Sequence, residues 1–459
     1  GITMPITKHN FTVRKVEELA DTMRAAFRIA QSGRKGPVLV DIPKDVTAAV
    51  CEFTPKQPEP IRTVTTYDEQ QVKWAADIIN AAKRPLVYFG GGVRSAASCQ
   101  PLRDLIHKAE IPATYTLMAA GVVPYGDPMN IGMVGMHGCY TSNRAVADCD
   151  VLIALGTRFS DRVALNPKTF AKNATIIQID IDPNEIENAR SIACPVVGDI
   201  KSAMQMINAG LEKTPVKASA QWLDMLKADA EKNDAKFAAR VNSNTVPMGH
   251  YDALGAIKKV YDQHKDMILT NEGANTLDDC RNIIDIYQPR HRLDCGTWGV
   301  MGCAVGYSIG AAVATGKPVL YVGGDSGFGF DGMEVEVACR YNLPITFVVL
   351  NNGGIYRGDF ENLGDDGDPS PLTLSYDAHY ERMIEAFGGN GYYATTPAEV
   401  EQMVGEAVAS GKPSLVHVQL ADYAGKESGH ISNLNPKPVV GPLATSEMTA
   451  NPYLKGAHM

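Results

Sequence analysis

Short apolar runs that stop at glycine or aspartate punctuate this chain. Leu86-Val87-Tyr88-Phe89 runs into Gly90-Gly91-Gly92, the run 151–155 into Gly156-Thr157-Arg158, and the run 175–180 ends on Asp180. Strands without polar alternation are buried on both faces, and helical stretches between them predict a parallel sheet covered on both sides. The alternation resumes over 246–420, with strands predicted at 267–270, 319–322, 345–350 and 414–420. The predicted fold class is therefore α/β, with successive doubly wound parallel-sheet domains.

The first 50 residues follow another plan. Val16, Leu19, Met23, Ala26 and Ile29 recur at helical spacing, and the run 36–43 predicts one buried strand ended by Pro43. One helix and one strand cannot bury a core alone, so residues 1–50 read as a remnant that needs a sheet from elsewhere. The chain opens without an initiator Met and closes on Gly456-Ala457-His458-Met459, which resembles a cloning remnant, so its ends read as truncated or relocated. Three prolines within 51–66 mark a linker. That leaves a central unit at 67–215, a polar linker helix at 216–245, a second α/β unit at 246–425 and an aperiodic tail at 426–459.

Composition narrows the classes. At 459 residues with 45% hydrophobic and 21% charged positions, the chain is an ordinary globular one. A net charge of −9 gives no basic face for nucleic acid. Nine cysteines without a CxxC pair argue against a disulfide framework and a zinc site, and point to a reducing compartment. There is no signal peptide and no apolar run long enough to span a bilayer. The reading is a cytoplasmic protein with neither nucleic acid nor membrane as partner.

The strongest chemical signal is Gly324-Asp325-Ser326 followed, after 24 residues, by Asn351-Asn352. Each group follows a predicted buried strand, so neighbouring strands would deliver a carboxylate and an amide to one carboxyl edge, where α/β sheets bind ligands. Asp, Asn and backbone carbonyls are hard oxygen donors suited to Mg²⁺ on a diphosphate. Gly324 lets backbone approach phosphate, and a helix entered near Met333 would point its positive end there.

This spacing resembles the motif of thiamine-diphosphate-dependent enzymes. The resemblance implies Mg²⁺ held by Asp325, Asn352 and the carbonyl of Gly354, with Ser326 where glycine is usual. GTWGVMG (296–302) is similar to the segment that bends the cofactor, which implies Met301 between its two rings and the Gly299 carbonyl on the 4′-amino group. The stretch 324–359 and NEGAN (271–275) resemble oxalyl-CoA decarboxylase and 2-hydroxyacyl-CoA lyase, which implies an acyl-CoA substrate; the tail ESGHISNLNP (427–436) resembles the decarboxylase more closely than the lyase, and that resemblance places Tyr356 and Ser428 near the reacting carbons. GMVGMHG (132–138), GTRFSDRV (156–163) and IDIDPNEI (179–186) resemble acetolactate synthase instead.

The resemblance makes 1–50 the remnant of a pyrimidine-binding domain, 67–215 a nucleotide-binding domain holding ADP or FAD, and 246–425 the diphosphate-binding domain. Arg158 and either Asp180 or Asp182, on a ribose hydroxyl, are the candidate nucleotide contacts. The expected activity is carbon–carbon cleavage of an acyl-CoA giving formyl-CoA, in a homodimer or homotetramer with sites between subunits. The activating glutamate of this family comes from the first domain, and no segment here matches it, so the chain alone is expected to turn over slowly if at all. The alternatives are an FAD-containing acetolactate-type carboligase and a catalytically silent nucleotide-binding or assembly subunit.

Overall fold

The computed structural model describes residues 1–57, 67–164, 166, 168–187, 191–213, 220–355 and 372–422. Its first segment carries two strands rather than one. Strand β1 (His9–Thr12) pairs in parallel with β2 (Val38–Asp41) across the helix Val16–Gln31. Phe11 is the one apolar residue of β1, so hydrophobic patterning had nothing to mark it. Nor is β2 buried: half-buried Val38 and Val40 alternate with exposed Leu39 and Asp41, because this sheet has only two strands.

The central sheet comprises β3 (Pro85–Phe89), β4 (Ala113–Tyr115), β5 (Asn130–Met133), β6 (Val151–Leu155), β7 (Thr175–Asp180) and β8 (Cys194–Val197). They run parallel in the order β5-β4-β3-β6-β7-β8, the doubly wound order of dinucleotide-binding folds. Every residue of β3, β6 and β7 is buried, as the unbroken apolar runs require. Successive side chains feed opposite cores: Val87 and Phe89 pack with Ile106 and Ile153, while Leu86 and Tyr88 pack with Phe159 and Phe170. The stretch expected as a polar linker is the helix Ala220–Val241, and it is anchored to this unit. Trp222 and Leu226 are buried in the second core, and the Trp222 indole N–H donates to the Pro85 carbonyl at 3.2 Å.

The second sheet comprises β9 (Ile268–Asn271), β10 (Arg292–Asp294), β11 (Val319–Gly324), β12 (Ile345–Asn351), β13 (Asn390–Ala394) and β14 (Ser414–Gln419). All pairs are parallel, in the order β10-β9-β11-β12-β14-β13. β10 and β13 lay outside the predicted set because Arg292-Leu293-Asp294 and Asn390-Gly391 break the apolar run; both are edge strands. The helix at the Gly324-Asp325 motif starts at Asp325 and runs to Asp331, which corrects the expected start near Met333; Met333 sits in a 3-10 turn, Gly332–Glu334. Among the described residues, no helix is long and apolar enough to cross a membrane. All nine cysteines are free.

Candidate functional site

Each large sheet reverses its strand order near its middle, and open α/β sheets bind ligands at such points. In the central sheet the reversal lies between β3 and β6. A side chain at Gly90 would come within 2.5 Å of the Gly156 carbonyl oxygen, and one at Gly92 within 2.6 Å of the Gly156 Cα. Glycine at all three positions lets the two strand-end turns meet backbone to backbone. Above them opens a cleft of about 960 Å³ whose walls include Gly90–Gly92, Arg158, Asp180, Gly299 and Met301. One cavity therefore joins the nucleotide-contact candidates to the segment expected to bend the cofactor.

The two strand-end acids separate. Asp180 is buried, its carboxylate accepts from the Asp182 N–H at 3.0 Å, and burial pushes its pKa up to about 6. Asp182 caps the following turn by accepting from the Asn184 N–H at 3.0 Å, and it pairs with Arg34 at 2.9 Å. Its carboxylate is spent on structure, and the cleft is lined by Asp180, not by Asp182. The Arg158 guanidinium donates to the Thr297 hydroxyl at 3.0 Å, tying the central turn to the Gly296–Trp298 turn of the second unit. Arg94, Arg162 and Arg281 also face the cleft, an electrostatic setting for phosphate groups. Burial lowers the pKa of Arg94, with Arg290 adding to the effect.

In the second sheet the reversal between β9 and β11 brings Glu272-Gly273 against Gly324-Asp325. Gly273 has φ +104°, and a side chain there would sit 3.3 Å from the Gly324 nitrogen. Strands β11 and β12 are in register, with Gly324 opposite Leu350, so Asp325 and Asn351-Asn352 leave adjacent strand ends. Asp325 is 1% exposed and Asn352 5%. One Asp325 oxygen accepts from the Ser326 N–H at 2.7 Å and the other from the Gly353 N–H at 3.0 Å. Burial raises its pKa to about 6, with hydrogen bonds from Ser326, Gly353 and Gly354 opposing. A buried carboxylate beside a buried amide and the Gly353-Gly354 backbone is a donor set that fits a hard divalent cation, whose charge would offset that desolvation.

Gly299 closes the 3-10 turn Gly296–Trp298 with φ +65°, and Met301 follows it onto the cleft wall. The Ser326 hydroxyl lies 3.9 Å from the Met301 sulfur, linking the two clusters. Tyr356 and Ser428 lie outside the described residues.

Glu272 escaped the sequence reading. Its side chain is 0% exposed; one oxygen accepts from the backbone N–H groups of Gly302 (2.7 Å) and Cys303 (2.9 Å), the other from the Tyr321 hydroxyl at 2.7 Å. It holds the backbone immediately after Met301. The available signal was a glutamate directly after a short strand ending Thr270-Asn271 and before glycine, within NEGAN. A second cluster, His379, Glu381 and His417, brings its ligand atoms within 4.8 Å of one another.

Two sheets that each carry strand-end glycines at a reversal of strand order have the arrangement in which open α/β sheets bind phosphate-bearing ligands. Residues 72–207 match the thiamine pyrophosphate enzyme central domain, and 274–418 match the thiamine pyrophosphate enzyme C-terminal TPP binding domain. The chain is 40% identical over 446 residues to an oxalyl-CoA decarboxylase of Escherichia coli (strain K12), covering 95% of this chain and 77% of the relative. It is 33% identical over 432 residues to a probable acetolactate synthase large subunit of Methanocaldococcus jannaschii, covering 91% and 72%. It is 32% identical over 449 residues to a 2-hydroxyacyl-CoA lyase of Oryza sativa subsp. japonica, covering 92% and 76%. The chain belongs to the thiamine pyrophosphate enzymes, and its relatives are decarboxylases, lyases and synthases of that family.

Proposed function

We propose that this protein cleaves a carbon–carbon bond of an acyl-CoA, of the oxalyl-CoA or 2-hydroxyacyl-CoA type, to give formyl-CoA. The observation that carries the reading is the delivery of buried Asp325 and Asn352 from neighbouring strand ends, in a chain 40% identical to an oxalyl-CoA decarboxylase. In this reading Asp325, Asn352 and the Gly354 carbonyl hold Mg²⁺. Gly324 and Ser326 lie along the diphosphate, and Met301 and Gly299 shape the seat of the two rings. Thiamine diphosphate, when bound, supplies the electron sink for the bond that breaks next to the substrate carbonyl.

The chain's own residues do the rest. Asp325 and Asn352 would hold a cation whose charge would offset that of the diphosphate, and Glu272 fixes the backbone behind Met301, so the seat is formed before substrate arrives. Tyr356 and Ser428 handle charge on the reacting carbons and the proton that replaces the departing carboxylate. With oxalyl-CoA the broken bond releases CO₂, and that proton completes formyl-CoA. The segments 1–50, 67–215 and 246–425 serve as pyrimidine-side, nucleotide-binding and diphosphate-binding units, with ADP or FAD over Gly90–Gly92 and Asp180. Exposed Trp298, Phe330 and Met333 beside the site support a homodimer or homotetramer that covers them.

The test offers oxalyl-CoA, a 2-hydroxyacyl-CoA and pyruvate with Mg²⁺ and thiamine diphosphate. Formyl-CoA from a CoA ester is the expected result. Acetolactate from pyruvate instead, with a flavin spectrum in the purified protein, would favour the carboligase reading and overturn this one.

A further inference from the structure

Behind Asn351-Asn352, a buried chain of hydrogen bonds leads away from the cleft into the second sheet. Asn351 ends β12 and is fully buried. Its side-chain oxygen accepts from the Gly353 N–H at 3.0 Å, the same N–H that reaches Asp325. Its amide nitrogen donates to the Tyr376 carbonyl at 3.0 Å. Those two contacts fix which end of the amide is which, because a backbone N–H can only donate and a carbonyl only accept. The amide nitrogen therefore also faces the Nε2 of His417, 3.2 Å away on the neighbouring strand β14.

The second amide hydrogen has two acceptors in reach, His417 Nε2 at 3.2 Å and Gln419 Oε1 at 3.4 Å, and the shorter contact needs Nε2 unprotonated. The His417 proton then sits on Nδ1, and Nδ1 lies 2.9 Å from Glu381 Oε2, which accepts it. The other Glu381 oxygen is 2.7 Å from His379 Nδ1. His417 is 0% exposed, with the rings of Tyr380 and Tyr393 edge-on to it at 5.4 and 4.9 Å. Burial lowers its pKa, which favours the neutral ring, against the opposing pull of Glu381. Burial also works against the Glu381 charge, yet hydrogen bonds from His417, its own backbone N–H and His379 hold it below the usual carboxylate range. Each Glu381 oxygen thus already serves an imidazole, which accounts for the clustering of these three residues without an ion.

We infer that Glu381 and His417 are positioning residues for the metal-ligand turn: the carboxylate selects the Nδ1–H tautomer, and Nε2 then locks the Asn351 amide that holds the Gly353 N–H against Asp325. The inference rests on the proposed Mg²⁺–diphosphate site. It goes beyond that reading by extending the site through a second strand to residues that touch neither cation nor cofactor. The logic is that of outer-shell partners at metal centres, which fix ligand orientation through a carboxylate–histidine pair.

Three measurements test it on the 459-residue protein. Calorimetric titration with thiamine diphosphate and Mg²⁺ compares the unaltered protein with His417→Phe, which keeps the ring shape and removes the acceptor, and His417→Gln, whose side-chain oxygen can accept from Asn351. His417→Phe should weaken binding roughly tenfold, the scale of one lost buried hydrogen bond, and His417→Gln should recover most of it. Thermal unfolding run alongside should show both variants lowered by similar amounts, since both disturb the pairing with Glu381. Imidazole ¹⁵N shifts of the unaltered protein should report Nδ1 protonated and Nε2 bare, a readout that needs no variant to fold. An Nε2–H tautomer, or folded His417→Phe binding as tightly as the unaltered protein, overturns the inference. No Mg²⁺-dependent binding by the unaltered protein would overturn the metal-site reading itself.

Discussion

Glu272 is where a change of one atom should speak most clearly. Its buried carboxylate accepts three hydrogen bonds, two from the backbone after Met301 and one from Tyr321. Glu272→Gln keeps the shape but leaves one acceptor oxygen and no charge. Hydrogen bonds to a charged group contribute about 1.5–3 kcal/mol, and neutral ones about 0.5–1.5. If the remaining oxygen keeps the two backbone N–H groups and the amide turns the Tyr321 hydroxyl around, the loss is roughly 2 kcal/mol. Glu272→Ala instead leaves three buried donors without an acceptor, which at about 1–3 kcal/mol each predicts roughly 4 kcal/mol or more. The assay is urea unfolding followed by near-ultraviolet circular dichroism, together with thiamine diphosphate affinity. Trp298, 90% exposed and three residues before Met301, is a natural fluorescence reporter of that segment. Glutamine should cost stability and affinity together, and alanine more of both. A Glu272→Ala protein within about 0.5 kcal/mol of the unaltered one, the range of an ordinary surface change, would refute the reasoning.

Further outcomes follow from single contacts. Burial raises the Asp325 pKa to about 6 from the ordinary 3.8, so in the metal-free protein the folded state favours the protonated form. Its contribution to stability is full below about pH 4 and is lost as pH rises through about 6, so the metal-free protein should lose about 1–3 kcal/mol over that range in chemical denaturation, and Asp325→Asn, which leaves one of the two backbone N–H groups without an acceptor, should flatten that dependence. Mg²⁺ needs the ionised form, so its affinity, read by calorimetry, should be flat above pH 6 and fall about tenfold per unit below it. At Gly302, φ is +76° and an added Cβ would lie 2.4 Å from the Phe330 Cβ; Gly302→Ala should shift the Met301 segment and weaken cofactor binding roughly tenfold or more in the Trp298 assay. Trp222→Ala removes a fully buried indole and should cost about 3–5 kcal/mol in thermal or urea unfolding without altering Mg²⁺ affinity.

The legible parts of the fold were those where burial on both faces wrote unbroken apolar runs. β3, β6, β7, β11, β12 and β14 belong to this group, and so does the placing of Asp325 and Asn352 on adjacent strand ends. The edge strands were not legible, because pairing on one side tolerates Arg292, Asp294 and Asn390. The helix Ala220–Val241 looked polar because it fully buries only Trp222 and Leu226 among its described side chains, with Phe237 and Val241 half-buried at its far end. Within the site, residues that would touch a cation follow a linear motif, whereas those that hold the motif in place do not. Glu272, Glu381 and His417 meet their partners across 30, 36 and 66 positions of chain, so only the folded sheet brings them together.

The most direct test of the metal–diphosphate assignment is electron–nuclear double resonance on protein loaded with thiamine diphosphate and Mn²⁺ in place of Mg²⁺. Phosphorus couplings at the bound Mn²⁺ in the unaltered protein, and their loss in Asp325→Ala, are the predicted result. Bound Mn²⁺ without phosphorus coupling, or the same spectrum in Asp325→Ala, would contradict the site built here on Asp325 and Asn352.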